Sequence, residues 1–158
     1  MTTPRESMTL FHIRRSLKDL EDHPSPFYNA GVKDDDIYEW TATIIGPKNT
    51  PYEGGVFSLG IHFDPGFSLK APSMHFKAPI FHPNASHLGN IFHPMLVYDT
   101  WCLMTTVCQM LMMIHDMLIH LRIEEKDVVR EDVEDMFPYD RVRFDEHAWR
   151  WIQLHAMW

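Results

Sequence analysis

Cysteine is scarce in this sequence, and tracts of basic residues are absent from it. Two cysteines among 158 residues cannot form a disulfide framework or supply the four thiolates of a structural zinc site. Fourteen Lys and Arg residues against 22 Asp and Glu residues give a formal net charge of −8. A nucleic-acid backbone or an anionic membrane surface would repel such a chain. We therefore expect no nucleic-acid partner, and nothing in the sequence indicates a cofactor.

An export signal is also missing from the start of the sequence. Residues 1–7 lack the apolar core of a secretory signal and include the acid Glu6. The low number of cysteines fits a reducing compartment. We expect an intracellular protein, cytoplasmic by default, and an organellar complex remains open as an alternative.

Long apolar runs free of ionisable groups are absent as well. The segment Cys102–Leu121 is mostly apolar, yet it contains His115, Asp116 and His120, which a membrane span rarely tolerates. Thr106 and Gln109 form the pattern of a capping box and place the start of a helix there. We expect a buried helix with no membrane span, and its apolar stripe consists of Val107, Met110, Leu111, Ile114, Met117, Leu118 and Leu121.

The residues that are present predict one folded domain over 1–158. Hydrophobic residues make up 45% of the chain and charged residues 23%, which excludes wholesale disorder. The first helix is predicted over Ser7–Asp22, because apolar residues recur there at helical spacing. A segment rich in proline, glycine and asparagine follows and predicts a loop over His23–Gly31. The inner face of the helix should comprise Leu10, Ile13, Leu17 and Leu20.

Three segments rich in β-branched and aromatic residues predict strands. They are Ile37–Ile45, Val56–Phe63 and Met74–Phe76, and turn residues bound each of them. Short connections between consecutive strands favour an antiparallel meander. The stretch Lys77–Trp101 shows little periodicity, and irregular segments of such length are often functional.

The last third of the sequence predicts helices. Residues 124–135 hold seven acids and two bases beside a narrow apolar stripe, as a solvated amphipathic helix would. Asp140 can cap a final helix. The fold class is therefore α+β, with helices segregated from one antiparallel sheet. The inner face of the final helix should comprise Phe144, Ala148, Trp151, Ile152 and His155.

Four segments resemble one known family in order and spacing. They are the glycine-proline turn segment 38–47, the Pro-Tyr-x-Gly-Gly hairpin within 50–57, the turn His82-Pro83-Asn84 and the ending 144–157. Together they are similar to the ubiquitin-conjugating enzyme family over nearly the whole chain. The resemblance implies that family's fold: an N-terminal helix, a four-stranded antiparallel meander, a long active-site loop and C-terminal helices.

The resemblance also implies that the reactive residue is missing. The family carries ubiquitin as a thioester on a cysteine eight residues after the asparagine of the His-Pro-Asn turn. Here the eighth residue after Asn84 is Phe92, and a benzyl side chain cannot form a thioester. Phe92 therefore stands at the position of the family's catalytic cysteine, and Asn84 is interpreted as a retained turn residue. The Phe92 ring has two alternative fates, which are to fold inward and close the groove for the ubiquitin tail, or to anchor a partner.

The family's ligase-binding surface departs from its usual pattern in the same way. The resemblance places Phe11-His12, Leu69 and Cys102-Leu103-Met104 on that surface. There the basic character is weaker, and the turn is bulkier and more apolar. We expect Phe11, Leu69, Cys102, Leu103 and Met104 to bind a protein partner.

Rival sites are weaker in the sequence. Cys102 could be a displaced nucleophile, but no histidine and acid can be assigned to it. Cys108 would occupy the first turn of a helix, where the dipole could lower its pKa, and packing is the simpler interpretation. The 11 histidines show no zinc-hydrolase spacing, so we expect no metal.

The function predicted from these features is that of a pseudoenzyme. We expect a non-catalytic, ubiquitin-conjugating-enzyme-like protein that is a structural or scaffolding subunit of a larger, stable protein assembly. One alternative is an inactive variant that assists a catalytic partner in ubiquitin transfer and contacts ubiquitin or an enzyme of its pathway. Another is an active conjugating enzyme that uses a non-standard cysteine.

Overall fold

The computed structural model describes residues 4–65, 71–93, 105–121 and 140–156. Helix α1 comes first, four strands follow it, and two further helices lie near the C-terminus. This order and the antiparallel pairing of the strands confirm the predicted α+β fold. The bounds are α1 (Pro4–Asp22), β1 (Tyr28–Lys33), β2 (Asp36–Ile45), β3 (Val56–His62), β4 (Ser73–Phe76), α2 (Val107–Ile119) and α3 (Arg141–His155).

Helix α1 begins three residues before the predicted start. Proline is tolerated in a first turn because its missing N–H would have no helical partner there. Of the predicted inner face Ile13 is fully buried, whereas Leu10, Leu17 and Leu20 are partly buried. The same face also buries polar side chains, and Ser16 Oγ accepts a hydrogen bond from the Val107 N–H at 3.2 Å. These polar groups position the first turn of α2.

Strand β1 corrects the predicted loop over His23–Gly31. It begins at Tyr28 and pairs with β2 from Tyr28↔Ile44 to Val32↔Trp40. Asn29, Gly31 and Lys33 have weak strand preference, but the ladder to β2 supplies the hydrogen bonds of the strand. Asp34 and Asp35 turn the chain back with φ values of 49° and 60°, and aspartate tolerates this region better than most residues.

The sheet is a meander in the order β1-β2-β3-β4, with every neighbouring pair antiparallel. Alternate side chains of its strands point to one face, as the two-residue period of a strand requires. That face is the core of the protein. Its buried strand residues are Trp40, Ala42, Ile44, Phe57, Leu59, Ile61, Met74 and Phe76.

Helix α2 confirms the predicted buried helix. Thr106 is its N-cap, and the capping box with Gln109 is present. Six residues of the predicted stripe are buried, and Leu121 lies beyond the helix end and is partly buried. No helix in the described part of the chain is long and apolar enough to cross a membrane.

Helix α3 begins at its predicted cap. The Asp140 carboxylate accepts a hydrogen bond from the Arg143 N–H at 3.1 Å. Phe144, Ala148 and Ile152 are buried as predicted. His155 is exposed, so its predicted place on the inner face was wrong, because the helix ends there and turns its last residue outward. The predicted acidic helix over 124–135 lies outside the described residues.

Candidate functional site

The segment from Lys77 to His93 is a loop without regular strands. It is the described part of the irregular stretch predicted over Lys77–Trp101. Two isolated bridges hold it in place: Ala85↔Ile91 joins its two arms, and His75↔Asn90 ties it to β4. The Lys77 N–H also donates to the Ser58 carbonyl at 2.8 Å and fastens the start of the loop to β3. We call residues 77–93 the His-Pro-Asn loop.

His82 connects this loop to the end of α2. Its Nδ1 accepts a hydrogen bond from the Asn84 N–H at 2.9 Å, so the ring proton lies on Nε2. Nε2 then donates to the Met117 carbonyl at 3.0 Å. That carbonyl belongs to the last turn of α2, where the intrahelical acceptors lack their usual N–H partners. The fully buried His82 therefore caps α2 and sets the turn at the same time.

Tyr52 fixes the same loop from the other side. Its hydroxyl donates to the Phe81 carbonyl at 2.7 Å, and its ring stacks on His82 with centroids 5.3 Å apart. Tyr52 belongs to the Pro-Tyr-x-Gly-Gly hairpin between β2 and β3. Two of the motifs that carried the resemblance are therefore in direct contact.

Gly89 closes the tip of the loop at a place where a side chain does not fit. Its φ is +86°, and a Cβ would overlap the Phe76 carbonyl oxygen. The close approach allows the Phe76 N–H to donate to the Gly89 carbonyl at 2.8 Å. Only glycine satisfies both the backbone angle and the space.

Asn84 and Phe92 face each other across the base of the loop. Asn84 is fully buried, and its carbonyl accepts a hydrogen bond from the Phe92 N–H at 2.9 Å. Ile91 fills the core, whereas the Phe92 side chain is 39% exposed and Leu88 is 83% exposed. The inward fate of the Phe92 ring is therefore wrong in this structure, and the anchoring alternative stays a prediction. Met95 and Leu96, the other members expected in an apolar cluster here, lie outside the described residues.

The family model of the ubiquitin-conjugating enzyme matches residues 12–152. The chain belongs to this family. The resemblance predicted from the motifs is confirmed, and the observed order of one helix, a four-stranded meander and C-terminal helices agrees with the fold that it implied.

Cys108 is the one cysteine of this ubiquitin-conjugating enzyme family member that the described residues include. It lies in the first turn of α2 as predicted, but burial raises the pKa of its thiol. The predicted lowering is therefore wrong, and the largest cause is that removal from water penalises the thiolate. The Tyr28 hydroxyl is a polar partner at 3.9 Å. This environment favours the packing interpretation.

The expected partner-binding residues are only partly within the described part of the chain. Phe11 is 62% exposed on α1, as a contact residue must be. His12 beside it is buried, so the resemblance misplaced it on the surface. Its Nε2–H donates to the Thr105 carbonyl at 2.6 Å, and burial lowers the pKa of its imidazole. Leu69, Cys102, Leu103 and Met104 lie outside the described residues.

Metal-ligating side chains do not cluster within the described residues. No three of their His, Cys, Asp and Glu side chains form a group that could hold an ion. His82 uses both ring nitrogens on the backbone of the protein itself. The described loop thus offers a shaped, partly apolar surface, with neither an exposed thiol nor a metal cluster among these residues.

An open groove was not predicted from the sequence. It has a volume of about 1130 Å³ and lies between the end of α1, the segment leading into β1 and one side of α2. Sequence reasoning missed it because its walls come from distant parts of the chain. The available signal was the apolar Phe27 between prolines and polar turn residues, together with the methionine pair Met112-Met113.

Proposed function

We propose that this chain is a non-catalytic member of the ubiquitin-conjugating enzyme family and serves as a structural or scaffolding subunit of a larger protein assembly. The observation that carries the proposal is Phe92, the eighth residue after Asn84, at the base of the His-Pro-Asn loop. Thioester chemistry needs a thiolate that attacks and later leaves. A phenyl ring has no lone pair to supply for either step.

The state of Cys108 supports the same proposal. An alternative nucleophile would need access and a thiol of lowered pKa. Cys108 is buried, its pKa is raised, and it lies beside Tyr28 in the groove along α2. No residue of the His-Pro-Asn loop lines that groove.

The fixed backbone of the His-Pro-Asn loop supports a structural role, in which the loop serves as a contact surface. His82, Tyr52 and Gly89 hold its backbone through hydrogen bonds that require no substrate. Leu88 and Phe92 are exposed upon this framework. A fixed backbone that presents apolar side chains suits a lasting contact with another protein.

The direct test is a loading reaction with activating enzyme, ATP and ubiquitin. We expect no band that is shifted by one ubiquitin and lost on reduction. A reducible band would overturn the proposal. Cys102→Ser and Cys108→Ser, made separately, would then identify the thiol and support the alternative of an active enzyme with a non-standard cysteine.

Phe92→Cys tests whether the rest of the catalytic machinery remains. We expect little or no discharge of ubiquitin to lysine, because catalytic parts act together and the resemblance places several altered residues around this position. Robust discharge by this single variant would contradict a remodelled structural role.

The assembly itself is tested by purification from the native source. Leu103→Asp with Met104→Asp should release the chain from its co-purifying proteins, since truncating a central anchor costs at least about 1 kcal/mol. Val142→Asp with Leu154→Asp, at two exposed apolar positions of α3, is the matched control and should leave the complex intact. Unchanged circular dichroism in both pairs excludes unfolding. Continued co-purification of the first pair would reject this surface and make the acidic segment Glu124–Asp135 the next candidate.

The alternative of a catalytic helper has its own readout. The chain is added to an active conjugating enzyme that carries ubiquitin, and the rate of ubiquitin transfer is measured. A rate that is unchanged supports the structural role. Acceleration that depends on this chain would favour the helper instead.

A further inference from the structure

The groove along α2 is larger than a small-molecule pocket needs to be. Its volume of about 1130 Å³ exceeds the range of about 300–1,000 Å³ typical of such pockets. Its lining combines the end of α1, the proline-rich segment that follows, Tyr28 of β1 and one side of α2. The space suits several side chains of a protein segment.

The groove runs along one face of α2. Among the lining residues, Met112 lies four positions after Cys108, and His115 and Asp116 lie three and four positions after Met112. Each of these steps is about one turn of a helix. From Cys108 to Asp116 the helix rises by about 12 Å, or a little over two turns. A second helix laid along this face could therefore place anchors at positions i, i+3 or i+4, and i+7.

Large apolar side chains in the walls of the groove are exposed, because none of the described residues covers them. Phe27 is 52% exposed and Met112 is 54% exposed, and they come from different elements that meet in the groove. One side of the Phe27 ring packs against His115, with centroids 5.2 Å apart. Exposed apolar residues gathered in a groove indicate an interaction site, and methionine adapts its shape to a partner.

The charge of the lining is of one sign. Asp19 and Asp116 line the groove, and no Lys or Arg is among the described lining residues. Asp19 already accepts from the Thr106 hydroxyl and lies 3.1 Å from Nδ1 of His23, another lining residue, whereas Asp116 is largely exposed with His120 Nε2 at 3.7 Å. Burial lowers the pKa of His115, so this imidazole adds no positive charge at neutral pH. A cationic partner would meet attraction at the rim.

We propose that this groove docks an amphipathic helix from another protein, with an apolar face on Phe27 and Met112 and a Lys or Arg at Asp116. Helical spacing of the α2 face determines the shape of the partner, and the exposed Asp116 determines its charge. A second copy of this chain is a poorer occupant, because both molecules carry a net charge of −8. Among the described residues, neither Phe11 nor any residue of the His-Pro-Asn loop lines this groove.

A displayed library of short helical peptides tests the class of partner without knowledge of its identity. Apolar, acidic and basic residues are allowed at every variable position, and selection uses the whole chain. We expect enrichment of peptides with apolar residues at i, i+3 or i+4 and i+7 and with flanking Lys or Arg. No enrichment, or enrichment of acidic peptides, would overturn the proposal.

Paired variants then locate the binding site of the enriched peptides by fluorescence anisotropy. Met112→Glu should weaken binding about tenfold or more, as loss of a central anchor does. Met8→Glu is the matched control, because Met8 is also an exposed helical methionine, lies outside the groove and receives the same charge. We expect it to change the affinity by less than about twofold. Equal effects of the two variants would reject the groove as the site.

The cationic contact and the second-copy alternative have separate measurements. Asp116→Asn should weaken binding about threefold and reduce its salt dependence, whereas Glu146→Gln on exposed α3 should do neither. An unchanged salt dependence in Asp116→Asn would contradict the charge argument. Sedimentation that shows a dimer lost in Met112→Glu would assign the groove to a second copy and overturn the proposal.

Discussion

The His-Pro-Asn loop and the groove along α2 lie at two sides of the same helix and differ in how their polar groups are used. In the loop, His82 satisfies the Met117 carbonyl and the Asn84 N–H, and Gly89 permits a further backbone bond. In the groove, the His115 Nε2 is buried without a hydrogen-bond partner among the described residues. The polar groups named in the loop have their hydrogen-bond partners within the protein, whereas the His115 Nε2 in the groove has none among the described residues.

This difference separates the buried polar groups that maintain the shape of the loop from the exposed apolar side chains of the groove, which are free to bind. A buried polar network is costly to break, because each lost partner leaves a desolvated group unpaired. Exposed apolar side chains in an open groove can change at little cost to folding. Variants of the buried polar groups of the loop should therefore alter stability, and variants of the exposed groove residues should alter binding.

His82→Ala should give the largest effect. We expect the free energy of unfolding to fall by about 3 kcal/mol, because the Met117 carbonyl and the Asn84 N–H lose their common partner. Urea denaturation measures it. His87→Ala, at an exposed histidine of the same loop, is the control and should stay within about 0.5 kcal/mol of the wild type. Similar losses in both variants would show that the His82 network is not what stabilises the loop.

Gly89→Ala should follow, with a loss of about 2–3 kcal/mol from a positive φ and a clash with the Phe76 carbonyl. Gly54→Ala is the matched control, because its φ is also positive at +88° but open space surrounds the site. We expect about 1 kcal/mol from the backbone angle alone. Equal losses would mean that the close approach at the loop tip contributes nothing.

The pH dependence of stability tests a buried polar contact at one end of the groove, where the His12 ring donates a hydrogen bond to the carbonyl of the lining residue Thr105. Burial and the nearby Arg15 charge lower the pKa of His12 below 6.5, against the opposing effect of the Thr105 carbonyl. Below pH 6.5 the unfolded chain takes up a proton that the folded chain does not. The free energy of unfolding therefore decreases as the pH is lowered.

His12→Gln removes this titration and should flatten the fall between pH 7.5 and 5.5 by up to about 1 kcal/mol. His155→Gln, at an exposed histidine of α3, is the control for the loss of an imidazole. Chemical denaturation at each pH provides the measurement. A steeper fall in His12→Gln than in the wild type would reverse the sign and refute the assignment.

Met112→Ser should have the smallest effect on folding. We expect the free energy of unfolding to change by less than about 0.5 kcal/mol, because the side chain is more than half exposed. Met110→Ser, two residues earlier on the buried face, should cost about 2 kcal/mol or more. Thermal denaturation compares them. A large loss in Met112→Ser would show that the groove wall is part of the core.

Much of the secondary structure was predictable because its signals are local. The capping box was predicted from Thr106 and Gln109, which are three positions apart, and the second cap was predicted from Asp140 alone; both occur. The stripe of α2 follows from helical spacing in the same way. Strand β1 was missed because its stability comes from pairing with β2, and neither Asn29 nor Gly31 indicates a strand by itself.

The buried polar residues of α1 show the same limit. His12 and Ser16 are polar by sequence, and no local pattern places them inside. They are buried because the Thr105 carbonyl and the Val107 N–H need partners where α1 meets α2. The neighbouring Phe11 is apolar and exposed, so composition alone misassigns both residues.

By itself, the sequence determined the family, the order of the elements and the identity of residue 92, because motifs and covalent order are properties of the chain. The tertiary structure alone decided that Phe92 stays partly exposed, that Cys108 has a raised pKa and that Phe27 and Met112 share one groove. Exposure, desolvation and proximity depend on which distant segments pack together, and a linear pattern carries little information about such contacts.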